Sequence, residues 1–293
     1  MPKKTIPLLL LISLFFLTSC AGAENETFAV NEKENAAQPV VSTVQQPQPA
    51  DTEVLISRNF GFGRINPSLY LKLEGEKHVE AFQEADRTKH QLMGMMDVRH
   101  PDFDVVFNSG GQTRQLHLWM PKTSEERAMV TEIDNTGTGY LLTPASTKVL
   151  RDLIGDYRYD SVQAVKNGDV VQTIGKIENF DAWEDFLEAV EQSRPASVQK
   201  VGYTIEGDPI FDNLHFDGQT IQYVYDDTLD RFGSHSKEFE TCEKVLIEPI
   251  PAELHMSGEV YRLSGCSITE GGLNKNFWFA IPDEGVEIIG RND

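Results

Sequence analysis

Cysteine is scarce in this chain of 293 residues. It occurs only at Cys20, Cys242 and Cys266. No two cysteines are separated by just two residues, so the Cys-x-x-Cys spacing of many structural zinc sites is missing. One cysteine stands alone near the N-terminus and two lie near the C-terminus, which predicts two separate roles.

Common catalytic and nucleotide-binding signatures are missing as well. There is no Gly-x-Ser-x-Gly elbow of a serine hydrolase. Gly61-Phe62-Gly63 lacks the third glycine and the following helix of a dinucleotide fingerprint, so it predicts a turn between strands. Ser234 and His235 are adjacent, and neighbours in sequence rarely face each other as members of a triad do. We therefore predict no catalytic residue, no metal site and no cofactor.

Basic residues are in deficit. The chain has 26 Lys and Arg against 46 Asp and Glu, which gives a net charge of −20. An acidic protein repels the phosphates of nucleic acids and of anionic lipids. Nucleic acid is therefore not expected as a partner. The acidic surface either keeps the protein in solution by self-repulsion or attracts cations and basic partners.

One uncharged apolar run stands out at residues 6–17, and it is too short to span a bilayer core of about 30 Å. It follows Lys3 and Lys4, as the apolar region of a signal peptide follows its basic start. The next residues, Leu17-Thr18-Ser19-Cys20, resemble a bacterial lipobox. The resemblance implies that residues 1–19 are a signal peptide and that Cys20 carries a diacylglyceryl anchor. It also implies a position on the extracytoplasmic face of the cell membrane.

Residues 20–51 begin with the predicted lipidated cysteine and continue as a predicted flexible tether. They are rich in Gln, Glu, Asn, Ala and Pro and have neither helical nor strand periodicity. A flexible chain of this length spans on the order of 30 Å. The tether is therefore long enough to hold a folded domain clear of a membrane.

Residues 52–157 predict a first small α+β domain of antiparallel strands packed on one or two helices. Two hairpin turns are expected, at residues 108–111 and 135–139. A second helix should begin after Thr143 with Pro144 in its first turn and end at Gly155. The predicted strands are 54–57, 69–73, 103–107, 115–119, 128–133 and 140–142, and the first helix is 76–92.

Residues 158–293 predict a second α+β domain. The segment 159–178 is ambiguous apart from a turn at Asn167-Gly168. A helix is expected at 181–192, with Asp181 and Glu184 at the spacing of a capping box. The residues after it alternate with a period of two and predict antiparallel strands at 198–205, 210–216, 220–225, 239–247, 259–264 and 277–281.

Cys242 and Cys266 fall in neighbouring predicted strands. An exported protein meets oxidising conditions, so we predict that these two cysteines form a disulfide. The alternatives are two free thiols or a metal-binding pair, although zinc requires about four ligands. The disulfide would close a loop of about two dozen residues.

Two acidic segments are candidates for chemistry. His100 lies close in sequence to Asp102 and Asp104, which suits either a divalent-ion or base site or a loop that enters a strand. Residues 226–230 contain three aspartates but lack the spacing of a calcium-binding EF-hand loop. For them the sequence favours a solvated turn that starts a short helix.

The second domain carries a set of short motifs, which are Gly175-x-Ile177-Glu178-Asn179, Tyr203-Thr204-x-Glu206-Gly207-Asp208-Pro209-Ile210, Leu214-x-Phe216-Asp217-Gly218, Asp227-Thr228-x-Asp230-x-Phe232-Gly233, Thr241-Cys242 and Leu263-x-Gly265-Cys266. Together they resemble the DUF4362 family of Bacillota lipoproteins, a domain of unknown function. The first domain carries Ile56-Ser57, Gly61-Phe62-Gly63-x-Ile65-Asn66, His117-Leu118-Trp119 and the predicted helix near Ser146 to Ile154. These features are similar to the YhfM-like domain of such lipoproteins. The resemblance implies an anchored surface protein with paired cysteines and brings no established activity.

The sequence therefore favours a membrane-anchored binding or interaction module over an enzyme. Its expected partners are the lipid anchor's membrane and an envelope protein, the cell wall or a small-molecule ligand. The candidate ligand-binding residues are Asp208, Asp227 and Asp230. The alternatives are an envelope hydrolase, with a site near His100 or Asp227, and a structural envelope protein.

Overall fold

The folded chain begins with an antiparallel sheet of seven strands. The computed structural model describes residues 47–93, 98–155, 157–270 and 276–291. The strand order is β2-β1-β4-β5-β6-β7-β3, and two helices pack against the sheet. The strands are β1 (Glu53–Arg58), β2 (Leu69–Glu74), β3 (His90–Gln91), β4 (Phe103–Ser109), β5 (Gln112–Trp119), β6 (Met129–Glu132) and β7 (Asn135–Leu141), and the helices are α1 (Glu76–Thr88) and α2 (Pro144–Ile154).

Apolar residues on both faces place β1 and β4 in the interior of the sheet. Ile56, Val105 and Phe107 are at most 1% exposed and pack in the core that includes the buried side of α1. Neighbouring residues of a strand point to opposite faces. Val106 accordingly packs with Ile65 on the other face, so β4 is covered on both sides.

Helix α1 is shorter than the predicted helix at 76–92. It ends at Thr88, and Lys89 continues with an extended backbone while its Nζ binds Glu132 Oε1 at 2.9 Å. His90–Gln91 then pairs with β7 as an edge strand. Pairing with the sheet therefore ends the helix before its sequence pattern does.

The second hairpin turn also lies elsewhere than predicted. Glu132 pairs with Asn135, so Ile133 and Asp134 form the turn. The glycine- and threonine-rich residues 135–139, predicted as the turn, are part of β7. Composition indicated a turn here, but pairing with β6 determines the conformation.

Helix α2 confirms its predicted start and end. Thr143 Oγ1 accepts a hydrogen bond from the backbone N–H of Ser146 at 3.0 Å, as an N-cap does. Pro144 is the first helical residue and Gly155 follows the last. The end of this helix becomes one wall of the groove described below.

A second sheet of eight strands and a third of three strands follow, and the predicted α+β class is confirmed. The second sheet has the order β16-β13-β12-β11-β10-β8-β9-β18 and the third has the order β14-β15-β17. The remaining strands are β8 (Val170–Thr173), β9 (Lys176–Glu178), β10 (Ala196–Tyr203), β11 (Pro209–Phe216), β12 (Ile221–Asp226), β13 (Lys237–Cys242), β14 (Lys244–Pro249), β15 (Gly258–Ser264), β16 (Ser267–Glu270), β17 (Trp278–Pro282) and β18 (Glu287–Ile288), with helices α3 (Ser161–Asn167) and α4 (Phe180–Glu191) and a 3₁₀ turn at Ala252–Leu254.

The ambiguous segment 159–178 contains a short helix and a hairpin. Asp160 caps α3 by accepting a hydrogen bond from Gln163, and Gly168 ends the helix with a left-handed φ of 87°. Strands β8 and β9 then pair antiparallel. A helix of seven residues is too short to show a clear apolar period, and its caps are its only strong sequence signal.

One predicted strand, 239–247, is two strands in two different sheets. β13 ends at Cys242 in the second sheet, and β14 begins at Lys244 in the third. Glu243 links them. The alternation of residues continues through the link, so the period of two does not reveal the change of sheet.

Helix α4 begins one residue earlier than predicted and without the capping box. Its N-cap is Asn179, which has a left-handed φ of 55° and makes no side-chain capping bond to the helix. The Asn179 side chain instead donates to the carbonyls of Val165 and Asp169, both at 2.9 Å. It therefore ties the start of α4 to α3.

Two large apolar cores hold the chain together. The core of the first sheet also contains Val171, Val201 and Phe211 from the second sheet. The other core lies around Trp183 of α4, whose indole packs 5.4 Å, centroid to centroid, from the ring of Phe279 in the third sheet. The described residues lie in a compact unit that spans residues 41–293. The domain boundaries at 52, 157 and 293 stay predictions.

None of the helices in the described ranges is long and apolar enough to cross a membrane. The apolar run at 6–17 lies outside those ranges.

A buried carboxyl group lies just after α3. Asp169 is 2% exposed and accepts hydrogen bonds from the Tyr159 hydroxyl and from Gln199 Nε2, the latter at 3.0 Å. No salt bridge joins Asp169 to a cation within the described parts of the chain. Burial raises the pKa of Asp169 to about 7, although the hydrogen bonds from Tyr159 and Gln199 act to lower it.

This carboxyl group should make the protein less stable as the pH rises. Its folded pKa lies above its unfolded value, so its stabilising contribution is complete below about pH 4 and is lost as the pH rises to about 7. We expect Asp169→Asn to remove this loss, at about 1.4 kcal/mol for each pH unit in that window. Urea unfolding between pH 4 and 8 measures the effect.

The matched control is Asp185→Asn, which changes an exposed carboxylate on α4. It should leave the pH dependence of the unfolding free energy as in the wild type. Parallel pH profiles for Asp169→Asn and the wild type would contradict the assignment.

Candidate functional site

Of the three cysteines, only the two near the C-terminus lie within the described residues. Cys20 lies outside the described residues, so its lipidation stays a prediction. Cys242 and Cys266 are joined by a disulfide, as predicted. The Glu240 carboxylate lies beside them, with its oxygen and the two sulfurs within 4.8 Å of one another. Zinc binds thiolates, and sulfurs bonded to each other are not thiolates, so this oxidised group does not provide a zinc site.

Asp208, the first of the three candidate binding residues, holds an arginine. Its carboxylate accepts hydrogen bonds from Arg231 Nε at 3.0 Å and from the Arg231 backbone N–H at 3.1 Å. The hydrogen bond from the Arg231 side chain lowers the pKa of Asp208. Asp208 lines a cavity of about 480 Å³ together with Arg158 and Tyr159. Asp208 therefore lies beside a cavity with its carboxylate already partnered, and its role in ligand binding stays a prediction.

Asp227 and Asp230 shape their own loop. Asp227 is 3% exposed and accepts hydrogen bonds from Ser234 Oγ at 2.6 Å and from Ser236. Asp230 Oδ1 accepts one from the backbone N–H of Phe232 at 2.9 Å. Their carboxylates thus bind donors a few residues away and fix the loop between β12 and β13.

The interpretation of residues 226–230 as a solvated turn leading to a helix is wrong in two respects. Turns follow rather than a helix, and Asp226 is fully buried. Asp226 Oδ2 accepts hydrogen bonds from Arg58 Nη2 at 2.7 Å and Nε at 3.1 Å, and Lys237 Nζ lies 3.3 Å away. Burial acts to raise the pKa of Asp226, but Arg58 and Lys237 outweigh it and hold that pKa well below its usual range.

Asp104 and His117 form a second buried group that sequence analysis missed. His117 Nδ1 donates to Asp104 Oδ1 at 2.8 Å, and His117 Nε2 accepts the backbone N–H of Gly63 at 3.0 Å. Gly63 has a left-handed φ of 73°, so the turn needs glycine here. Asp104 Oδ2 also accepts the backbone N–H of Asn66 at 2.9 Å. Both ring nitrogens are in use, so this pair orders the loop after β1 and does not offer an unoccupied base.

The remaining histidines of interest have different surroundings. His100 stacks on Phe239 with ring centroids 3.7 Å apart. His215 Nδ1 lies 2.7 Å from Ser197 Oγ, and burial lowers the His215 pKa. His235 is exposed and has a left-handed φ of 52°. For the segment around His100, the prediction of a loop that enters a strand is confirmed, because β4 begins at Phe103.

An open groove of about 470 Å³ lies beside Arg58. The end of β1, the start of β4 and the residues after β5 form one side, the end of α2 forms the second, and the loop after β12 forms the third. The walls are mainly aromatic and aliphatic. Those residues are Tyr70, Phe103, Met120, Ile154, Tyr157 and Leu229.

The aromatic wall of the groove is ordered by ring contacts. Tyr70 packs edge-on against Tyr157, with centroids 5.3 Å apart, and stacks on Tyr159 at 5.2 Å. Burial raises the pKa of Tyr70 to about 12, so the phenol stays neutral at physiological pH. The Arg58 guanidinium carbon lies 4.8 Å from the centroid of Phe103. The groove thus combines a neutral aromatic wall with one buried cation.

The sequence carries one signal for this site. β1 and β12 both end in a charged residue, Arg58 and Asp226, after buried apolar residues. A charge at the end of an otherwise buried strand is expected to have a partner. Nothing in the local pattern, however, indicates that these two charges are partners.

Residues 167–253 match the model of a domain of unknown function, DUF4362. This confirms the predicted resemblance over that segment, which extends from the end of α3 to the 3₁₀ turn. No curated protein and no solved structure matches the chain. The YhfM-like and lipoprotein resemblances stay predictions.

The disulfide should contribute measurably to stability. The bond joins residues 24 positions apart, and a loop of this size is worth about 3 kcal/mol in the chain-entropy model. We expect Cys242→Ala/Cys266→Ala to lower the free energy of unfolding by about that amount. Urea unfolding without reductant measures it.

Adding reductant to the wild type should move its unfolding curve towards that of the double variant. Thiol titration of the denatured wild type should give two fewer thiols without reductant than after reduction. Equal thiol numbers in the two titrations would overturn the pairing.

Proposed function

We propose that this protein is a lipid-anchored binding module on the extracytoplasmic face of a bacterial cell membrane, and that the groove beside Arg58 is its binding site. The main observation that supports this proposal is the groove itself. Its volume of about 470 Å³ lies within the range of about 300–1,000 Å³ typical of small-molecule sites. Apolar walls with a few polar groups are also typical of such sites.

The course of β1 supports display of this groove away from the anchor. The chain reaches the first sheet next to Asn108, whose Nδ2 donates to the Pro49 carbonyl and to Asp51 Oδ1, both at 3.1 Å. Strand β1 then runs from Glu53 to Arg58, a rise of about 17 Å. The groove therefore lies by the end of β1 that is opposite to the point where residues 49–51 meet the sheet.

A small molecule suits the groove better than the other expected partners. Three structural elements surround it on three sides, whereas a wall polymer or a folded envelope protein needs a longer or flatter surface. The net charge of −20 argues against nucleic acid. The ligand would be held by contact with the aromatic wall and by a few directed polar bonds.

The anchor is tested at Cys20. We expect Cys20→Ala to accumulate as an unprocessed precursor that incorporates no labelled fatty acid, because the thiol is the acceptor of the lipid. Cys242→Ala is the matched control, and it should be labelled and processed like the wild type. Normal labelling of Cys20→Ala would overturn the anchor.

The groove is tested at Leu229. Leu229→Trp should fill part of the groove, while Leu254→Trp adds the same bulk at a half-exposed position in the 3₁₀ turn. The measurement is the thermal stabilisation of the full chain by a set of sugars, amino acids, peptides and organic acids. Compounds that stabilise the wild type should stabilise Leu254→Trp equally and Leu229→Trp at least about tenfold more weakly in apparent Kd. Equal stabilisation of both variants would place binding elsewhere.

A further inference from the structure

Arg58 uses only part of its hydrogen-bonding capacity. Nε and Nη2 bind Asp226, and Nη2 also donates to Thr228 Oγ1 at 2.6 Å. Within the described chain, Nη1 makes no hydrogen bond. The side chain is 3% exposed, and Arg58 is one of the residues that line the groove. A guanidinium carries five N–H donors in a planar fork, so donors remain for a group in the groove.

The charge behind the groove is not balanced by Asp226 alone. Lys237 Nζ lies 3.3 Å from the same Asp226 oxygen that Arg58 binds, and it also donates to the Pro101 carbonyl at 3.2 Å. Asp226 is thus in contact with two poorly exposed cations, and Asp102 and Asp104 also attract Lys237. An anionic group in the groove would give the unused donors of Arg58 a partner.

The carboxylates that line the groove are already paired. Asp102 accepts two hydrogen bonds from Arg99, at 2.7 and 2.9 Å, and Asp152 pairs with Lys148. Neither Arg99 nor Lys148 lines the groove. Each of the two carboxylates that line the groove therefore has a cation partner outside it.

The cations that line the groove outnumber those carboxylates. They are Arg58, Lys122 and Arg151, against the two paired aspartates. Arg151 donates through Nη2 to the Thr123 carbonyl at 2.8 Å, while its buried Nε has no hydrogen-bond partner within the described chain. In a protein with a net charge of −20, this local positive excess is the opposite of the average surface.

We propose that the groove binds a small molecule with one anionic group and an aromatic or apolar body, with the anion on Arg58 Nη1 and the body against Tyr70 and Tyr157. This inference rests on the proposed function, because it specifies the ligand of the same groove. The anion could be a carboxylate, a sulfonate or a phosphate, since all three accept hydrogen bonds from a guanidinium. Lys122, exposed at the rim, would steer the anion inwards.

The test uses two probes of the same shape, 2-naphthoate and 2-naphthamide, which differ in charge. Each is titrated into the full chain in zwitterionic micelles, with empty micelles as the blank, and Kd is measured by saturation-transfer NMR. We expect naphthoate to bind the wild type at least about tenfold more tightly than naphthamide, because a hydrogen bond to a charged partner is stronger than one to a neutral partner.

Variants separate the contribution of the charge from that of the groove. Lys122→Gln should weaken naphthoate a few-fold and leave naphthamide unchanged, and Arg58→Lys should reduce the preference for naphthoate about tenfold. The matched controls are Lys166→Gln on α3 and Arg64→Gln, whose guanidinium binds Gln222 outside the groove. Both control variants should still bind naphthoate more tightly than naphthamide, by the same factor as the wild type.

A crystal structure of the wild-type complex with naphthoate tests the contact even if Arg58→Lys does not fold. The carboxylate should lie within about 3.0 Å of Arg58 Nη1. Equal binding of both probes, with both weakened by Leu229→Trp, would overturn the anion preference and leave the binding groove standing. Naphthoate bound elsewhere, or not bound at all, would also overturn the inference.

Discussion

The groove owes its position to the buried ion pair between Arg58 and Asp226, which joins residues 168 positions apart. Both side chains are at most 3% exposed. Such a pair is not more stabilising than a well-packed apolar contact, but loss of one partner leaves a buried charge and typically costs about 3–5 kcal/mol. The pair therefore links the first sheet to the second. It holds the end of β1 against the end of β12 and places the loop after β12 at the groove.

Local signals in the sequence predicted the parts of the fold that local interactions determine. The N-cap Thr143 with Pro144 predicted α2, and the apolar face around Trp183 predicted α4. The buried groups of the site are different, because their partners are distant. The strand pattern before Asp226 indicates that this acid has a partner, but not that the partners are Arg58 and Lys237. Asp104 and His117 belong to paired strands, and their hydrogen bond requires the register of that pairing.

The errors in the predicted elements have the same cause. The run 239–247 alternates as one strand would, but the chain changes sheet at Glu243. Residues 135–139 have the composition of a turn, and pairing with β6 makes them a strand. In the first case the local preference for strand is kept and only the sheet changes, and in the second case pairing overrides a local preference for a turn. For the candidate acids Asp227 and Asp230 the difference runs the other way. A sequence motif suggested that they bind a ligand, but in the structure their carboxylates bind donors inside their own loop.

The composition of the groove limits what the DUF4362 match alone can explain. The matched residues 167–253 contribute Thr228 and Leu229 to the groove and Asp226 behind it. Arg58, Tyr70, Phe103, Ile154 and Tyr157 come from outside the matched segment. A protein that carried only that segment would have the carboxylate without its arginine and one wall without the other two. Any binding at this groove therefore belongs to the combination of both regions, joined by the Arg58–Asp226 pair.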